Sequence, residues 1–258
     1  MFVAVDIGNS EVTAGLFHGE AVALRWRLTT RPRTSDEWAA AFAAFLTHAG
    51  QSPNEITGVA VASVAPQVTR PVVAGLRTLT GRLPHLLEPR SDVGLVLDVD
   101  EPWAVGPDRL ANALAALELA AGDAIVVDLG TATNFDCVTA DRRFIGGSIM
   151  PGLRTSADNL IRAAALLTAT DLVPPARAIG RTTAEHIQGG VLFGTADAVD
   201  GMVRRLIAEW PTPARPRVIA TGGLATLVAS LATTIDVVEP DLTLRGIRLA
   251  ARALGLPV

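Results

Sequence analysis

The chain has 258 residues, of which 49% are hydrophobic and 19% charged, with a net charge of −4. That length builds one large domain or two small ones, and the composition excludes a disordered chain. No lysine- or arginine-rich tract is present and no apolar run reaches the roughly 18 residues of a membrane span, which argues against nucleic-acid and membrane partners and for the cytoplasm.

The elements follow in chain order. Residues 2–7 ("FVAVDI") read as a strand, 11–17 as a second, and 21–29 as a third with alternating character. The short turns between them suit an antiparallel meander. Residues 34–50 read as a helix opened by Thr34 or Ser35 and closed by Gly50. "GVAVASVAP" (58–66) is a strand stopped by Pro66, and 67–81 is helical after Pro71. Residues 107–121 form a strong helix with Pro107 at its start. The pattern then restarts: three strands from "DAIVVDLG" to "RFIGGSI", helices over 156–168 and 184–210, a strand over 215–223, a helix from about Leu224, and a closing helix over 243–255.

Both halves therefore run three strands followed by alternating helices and strands. Their openings align without a gap: Val5-Asp6-Ile7-Gly8 lies on Val127-Asp128-Leu129-Gly130. Duplication explains the shared order, with a first domain over 1–115 and a second over 116–258. An acid and a glycine turn joining two antiparallel strands, once in each half, is how the actin, Hsp70 and sugar-kinase superfold handles phosphates; on its own that is an analogy of fold.

A carboxylate in a buried strand is costly unless it meets a cation or hydrogen-bond donors. Asp6 is followed by Gly8, which permits a sharp turn, and by Asn9 and Ser10. This combination suits a magnesium-bound nucleotide, although an Asx-type hairpin turn would look alike. Asp128 repeats it, with Thr131 and Thr133 behind. Asp108 and Arg109 stand at a helix start after Gly106, where an Asp can accept a hydroxyl proton and an Arg can grip a carboxylate; helix-start acids are also common for structural reasons. Thr182 and Thr183 can cap the following helix or touch a ligand. The glycine-dense "FIGGSIMPGL" and "ATGGLA" mark tight turns or close approach of backbone. The four histidines do not cluster, and the one cysteine, Cys137, reads as core filler, so neither zinc nor a thiol nucleophile is indicated.

The ordered set "DIGNS", "RWRLTTRPRTSDEW", "VASVAP", "GPDRLANALAA", "VVDLGTATNFD", "GGSIMPGL", "IGRTTAEHIQGG" and "TGGLA" spans nearly the whole chain and resembles the type III pantothenate kinase family. The resemblance implies an α/β fold of two related ribonuclease-H-like domains with mixed sheets flanked by helices. It implies a homodimer that phosphorylates pantothenate with ATP at the first step of coenzyme A synthesis, using Mg2+ or another divalent ion and activated by K+ or NH4+. Carried over by motif, Asp6, Ile7, Gly8, Asn9, Ser10, Glu11, Val12 and Thr13 would form the first ATP phosphate loop, with Asp6 at the divalent ion. Val99, Gly106, Pro107, Asp108 and Arg109 would meet pantothenate, with Asp108 the proton acceptor. Asp128 would ligate the monovalent cation, Thr131 would touch ATP, and Thr183 would contact pantothenate across the dimer interface. The chain departs from the family in Ser10, where Thr is usual, in Asn134, where a second Thr is common, and near Val99, where an aromatic residue often stands, Trp103 lying nearby. Two other readings accompany the kinase: a nucleotide-binding regulator on the same fold, and a kinase of another small hydroxyl compound.

Overall fold

A computed structural model describes all 258 residues. In chain order it holds β1 (Phe2–Ile7), β2 (Glu11–His18), β3 (Ala21–Thr29), α1 (Ser35–His48), β4 (Gly58–Ser63), α2 (Pro66–Thr80), β5 (His85–Leu86), β6 (Val96–Leu97) and α3 (Pro107–Ala120). Then come β7 (Ala124–Leu129), β8 (Ala132–Thr139), β9 (Arg143–Pro151), α4 (Leu153–Ala163), α5 (Thr183–Ala208), β10 (Arg217–Thr221), α6 (Ala225–Ala229), β11 (Val237–Val238) and α7 (Leu242–Ala253). None of the helices is long and apolar enough to cross a membrane.

The chain forms two compact units, Met1–Ala115 with Asp241–Val258, and Ala116–Pro240. The closing helix α7 thus lies in the first unit, whereas the sequence reading ran the second domain to residue 258. The reason is visible in the packing. Gly15 faces the Leu244 side chain, and Leu244, Ile247, Ala250 and Ala251 are buried with Phe2, Ala4 and Phe17. Arg25 Nη1 donates to Asp241 Oδ1 at 2.9 Å.

In the first unit the sheet order is β3-β2-β1-β4-β5, with β1 antiparallel to β2 and parallel to β4. In the second unit β9-β8-β7-β10-β11 repeats that order, with β7 antiparallel to β8 and parallel to β10. Both are α/β units with a mixed sheet. A β-bulge falls between Leu16 and Phe17 in the first and between Cys137 and Val138 in the second. Bulges are specific local features, so the match at equivalent places speaks for duplication.

The period of two along a strand sorts β1 into two faces. Val3, Val5 and Ile7 pack with Trp38, Phe42 and Leu46 of α1 and with Val68, Val72 and Leu76 of α2. Phe2 and Ala4 pack with Leu110, Ala111 and Leu114 of α3 and with α7. In β7, Ile125, Val127 and Leu129 pack with Leu192, Val199 and Val203 of α5 and with Ala225 and Val228 of α6. Cys137 is buried in that same core.

Two helix starts differ from expectation. Helix α2 begins at Pro66 and carries Pro71 inside it. Pro66 occupies the first turn, where a missing N–H costs nothing, and the carbonyl that Pro71 leaves without a donor belongs to the exposed Gln67. Helix α4 begins at Leu153 because Gly152 takes the N-cap conformation and its carbonyl accepts from Ser156 N at 2.8 Å.

Candidate active site

Asp6 sits next to last in β1, half-buried, opposite Thr13 of β2 and Ala62 of β4. Alternation puts it on the face of Phe2 and Ala4, which is the face α3 covers. Ile7 and Val12 are paired and buried toward the other face, so they can offer a ligand only backbone. Asn9, Ser10 and Glu11 are exposed at the turn. Gly8 N donates to Glu11 O at 2.9 Å, and a Cβ on Gly8 would stand 3.1 Å from that same oxygen.

Asp108 lies in the first turn of α3, after Gly106 and Pro107. Its Oδ1 accepts from Arg109 N at 2.8 Å. A Cβ on Gly106 would collide with Asp108 Oδ1, so glycine there leaves the volume the carboxylate occupies. Burial pushes the Asp108 carboxyl above the ordinary carboxylate range, and the Arg109 amide and guanidinium only partly offset it. Farther along, Asn112 is fully buried and its Oδ1 accepts from Thr243 Oγ1 at 2.7 Å. A Cβ on Gly246 would strike the Ala111 carbonyl, so α7 approaches α3 backbone to backbone and holds the helix that carries Asp108. Val99 is half-buried and Trp103 is 72% exposed in the segment leading to α3.

Within the second unit, Asp128 is half-buried opposite Asn134 of β8 and Thr221 of β10. It faces away from the core formed by Val127 and Leu129. Gly130 N donates to Ala132 O at 3.0 Å, and the exposed Thr131 is the apex of the turn. Gly222, at φ 92°, lies where a Cβ would stand 2.7 Å from Asp128 Oδ1 and 2.7 Å from Leu129 O. The Gly-Gly loop after β10 therefore closes on Asp128, a neighbour that sequence separation had hidden. Thr183 is the first residue of α5 and is exposed; the capping role falls to Thr182, whose side chain accepts from Glu185 N.

The two openings do not align without a gap. Asp6 pairs with Thr13 and Asp128 with Asn134, so the first turn is one residue longer. Asn134 therefore corresponds to Thr13, and the equivalence continues to the two β-bulges. No sequence signal marks the extra residue, because both turns are short and polar.

The sequence profile of the type III pantothenate kinase family matches residues 2–205. A type III pantothenate kinase from Roseiflexus sp. (strain RS-1) is 42% identical over 250 residues, covering 96% of this chain and 97% of that protein. Among solved structures, the ROK hexokinase of Thermus thermophilus has a TM-score of 0.51 at 15% identity, covering 98% of each chain. The (R)-2-hydroxyglutaryl-CoA dehydratase component A of Acidaminococcus fermentans has a TM-score of 0.57 at 13% identity, also covering 98% of each. At such identities these two likenesses speak for the fold alone, that of the actin-like ATPases and sugar kinases. With the family profile and the curated relatives in agreement, the chain belongs to the type III pantothenate kinase family.

Proposed function

We propose that Asp108 is the general base of the reaction, that the Asp6–Thr13 turn holds the phosphates of ATP, and that Asp128 binds the activating monovalent cation. The reaction is that of the family: ATP-dependent phosphorylation of pantothenate to 4'-phosphopantothenate, the first step of coenzyme A biosynthesis. ATP with a divalent ion is the phosphoryl donor.

The observation that carries the assignment of the base is the seat of Asp108. Its carboxyl is raised by burial and has room because residue 106 is glycine. A base whose pKa moves toward ambient pH takes a proton more readily in the transition state. The pantothenate hydroxyl oxygen attacks the γ-phosphorus, the bond to the bridging oxygen breaks, ADP leaves and the hydroxyl proton passes to Asp108. Arg109, beside it, suits the pantothenate carboxylate through a two-pronged hydrogen bond. Phosphoryl transfer needs positioning and charge neutralisation more than a covalent group, which agrees with a chain whose single cysteine is buried.

The first turn fits a metal nucleotide. It has a half-buried carboxylate at a strand end, a glycine without a side chain at the bend, and exposed Asn9 and Ser10 after it. When bound, the divalent ion neutralises charge on the phosphate oxygens. Asp128 suits K+ or NH4+ because the loop at Gly222 brings backbone close to its carboxylate. In the second unit Leu166 is 94% exposed and Ile179 is 84% exposed, with Leu160 and Val173 also at the surface. Such apolar exposure supports a homodimer in which Thr183 serves the partner's pantothenate site. The reading also places the enzyme in the cytoplasm.

An ADP-release assay with pantothenate, Mg2+ and K+ or NH4+ tests this reading. Pantothenate-dependent turnover is expected, and its absence at millimolar ATP would overturn it. A panel of other small hydroxyl compounds, expected to be poor acceptors, tests the choice of substrate.

A further inference from the structure

We infer that Thr30 is a positioning residue that sets the direction of the backbone amides in the Asp6–Thr13 turn. The inference rests on the reading that this turn holds the phosphates of ATP. Thr30 follows β3 directly and is half-buried. Its Oγ1 donates to Gly8 O at 2.7 Å, and its N donates to Ser10 O at 2.9 Å. Two carbonyls of the turn are thus drawn to one residue 22 positions beyond Gly8 in sequence.

A trans peptide is planar, with its C=O and N–H on opposite sides. The carbonyl of Gly8 belongs to the peptide that carries the amide of Asn9, and the carbonyl of Ser10 to the one that carries the amide of Glu11. Holding both carbonyls toward Thr30 turns both amides away from it. Amides of one turn that point the same way help to form an anion-binding concavity, and here they are those of Asn9 and Glu11, on either side of Ser10. Thr30 makes no contact with the phosphates in this scheme; it acts through the turn.

The second unit supplies an internal control. Gly152 follows β9 as Thr30 follows β3, and Gly152 N donates to Thr131 O at 3.2 Å as Thr30 N does to Ser10 O. At position 152 a side chain has no room, since its Cβ would collide with the carbonyls of Gly130 and Thr131. The hydroxyl comes instead from Thr155, whose Oγ1 donates to Thr131 O at 2.7 Å. There both donors converge on one carbonyl and so orient one amide, that of Ala132. The extra residue of the first turn gives it a second carbonyl to hold and a second amide to aim.

The experiment compares Thr30→Val, which keeps the shape and removes the donor, Thr30→Ala, and Thr30→Ser, which keeps the hydroxyl. Steady-state KM values for ATP and pantothenate are measured together with thermal melting and equilibrium binding of Mg·ATP. Losing one hydrogen bond that orients the turn should raise KM for ATP and weaken Mg·ATP binding about three- to tenfold. KM for pantothenate should stay within about twofold, and Thr30→Ser should stay within about twofold of wild type. Thr30→Ala keeps the test valid if Thr30→Val melts early. The inference fails if the hydroxyl-free variants bind Mg·ATP like wild type, if both KM values rise together, or if Thr30→Ser is as weak as Thr30→Val. Asp6→Asn separates the two levels: if it too leaves Mg·ATP binding unchanged, the nucleotide reading of the turn falls. If Asp6→Asn weakens binding and Thr30→Val does not, only the role of Thr30 is refuted.

Discussion

The two strand-turn-strand openings are built alike and differ by one residue. Asp6 and Asp128 stand next to last in equivalent strands, each before a glycine whose N–H closes the turn. In the first copy that N–H reaches Glu11 O, in the second Ala132 O, one residue sooner. The longer turn leaves room for the Thr30 side chain behind it; the shorter one excludes any side chain at Gly152. Gly222, pressed against the acid of the second copy, stands where the register puts Ser63 in the first, and the chain just beyond donates an N–H to the same carbonyl in both: Val64 N to Ile7 O at 3.0 Å and Leu224 N to Leu129 O at 3.3 Å. The two copies share one scaffold and differ by one residue in the turn.

The largest effect is expected outside both turns. Asp108→Asn should lower kcat by about 10²- to 10⁴-fold while Mg·ATP still binds, because a general base typically contributes that much. Wild-type turnover would move the base into one of the turns. The same variant carries a pH signature. Burial raises the folded-state pKa of Asp108 above its unfolded value near about 3.9, so ionisation erodes stability as pH rises through the folded pKa. Asp108→Asn should therefore melt higher than wild type at pH 7, and the gap should close as pH falls toward about 4.

Next comes the steric difference between the turns. Gly152→Ala should cost about 1–3 kcal/mol in denaturant unfolding, since its Cβ would overlap two carbonyls. Thr30→Ala at the matching position should cost about 1 kcal/mol, one hydrogen bond. Equal costs would mean that the extra residue changes nothing behind the turn. The two acids should separate by ion: Asp6→Asn should raise the Mg2+ needed for half-maximal rate about tenfold, and Asp128→Asn the K+ or NH4+ needed, each leaving the other nearly unchanged. Gly222→Ala belongs with Gly152→Ala at about 1–3 kcal/mol, because its side chain would sit at φ 92° and crowd both Asp128 and the Leu129 carbonyl, and its functional cost should fall on the monovalent ion.

The strands were legible because a continuous apolar run, an alternating run and short polar turns each leave strong marks: β1 over Phe2–Ile7 is the buried run and β3 over Ala21–Thr29 the alternating one. The repeated order of elements was legible for the same reason. Pro71 misled because a helix tolerates proline where the carbonyl it strands reaches water. Thr30, Gly152 and Gly222 gave no sign of their neighbours, since each meets its turn through a chain crossing that only the folded sheet brings close. Asp108 was visible as a helix-start acid. The room beside Gly106 was readable as a motif, but its physical reason, a carboxylate folded back over residue 106, was not.

Helix α7 and the tail behind it carry a consequence for synthesis. A Cβ on Gly58 would strike the Pro257 carbonyl, and Phe2, Phe17 and Ala60 share one core with Leu244, Ile247 and Ala250. The second unit is one continuous stretch, so all of its strands are translated before the helix that completes the first unit. The unit whose residues are translated first is therefore the last to close, and until then it holds an open apolar face shaped for α7.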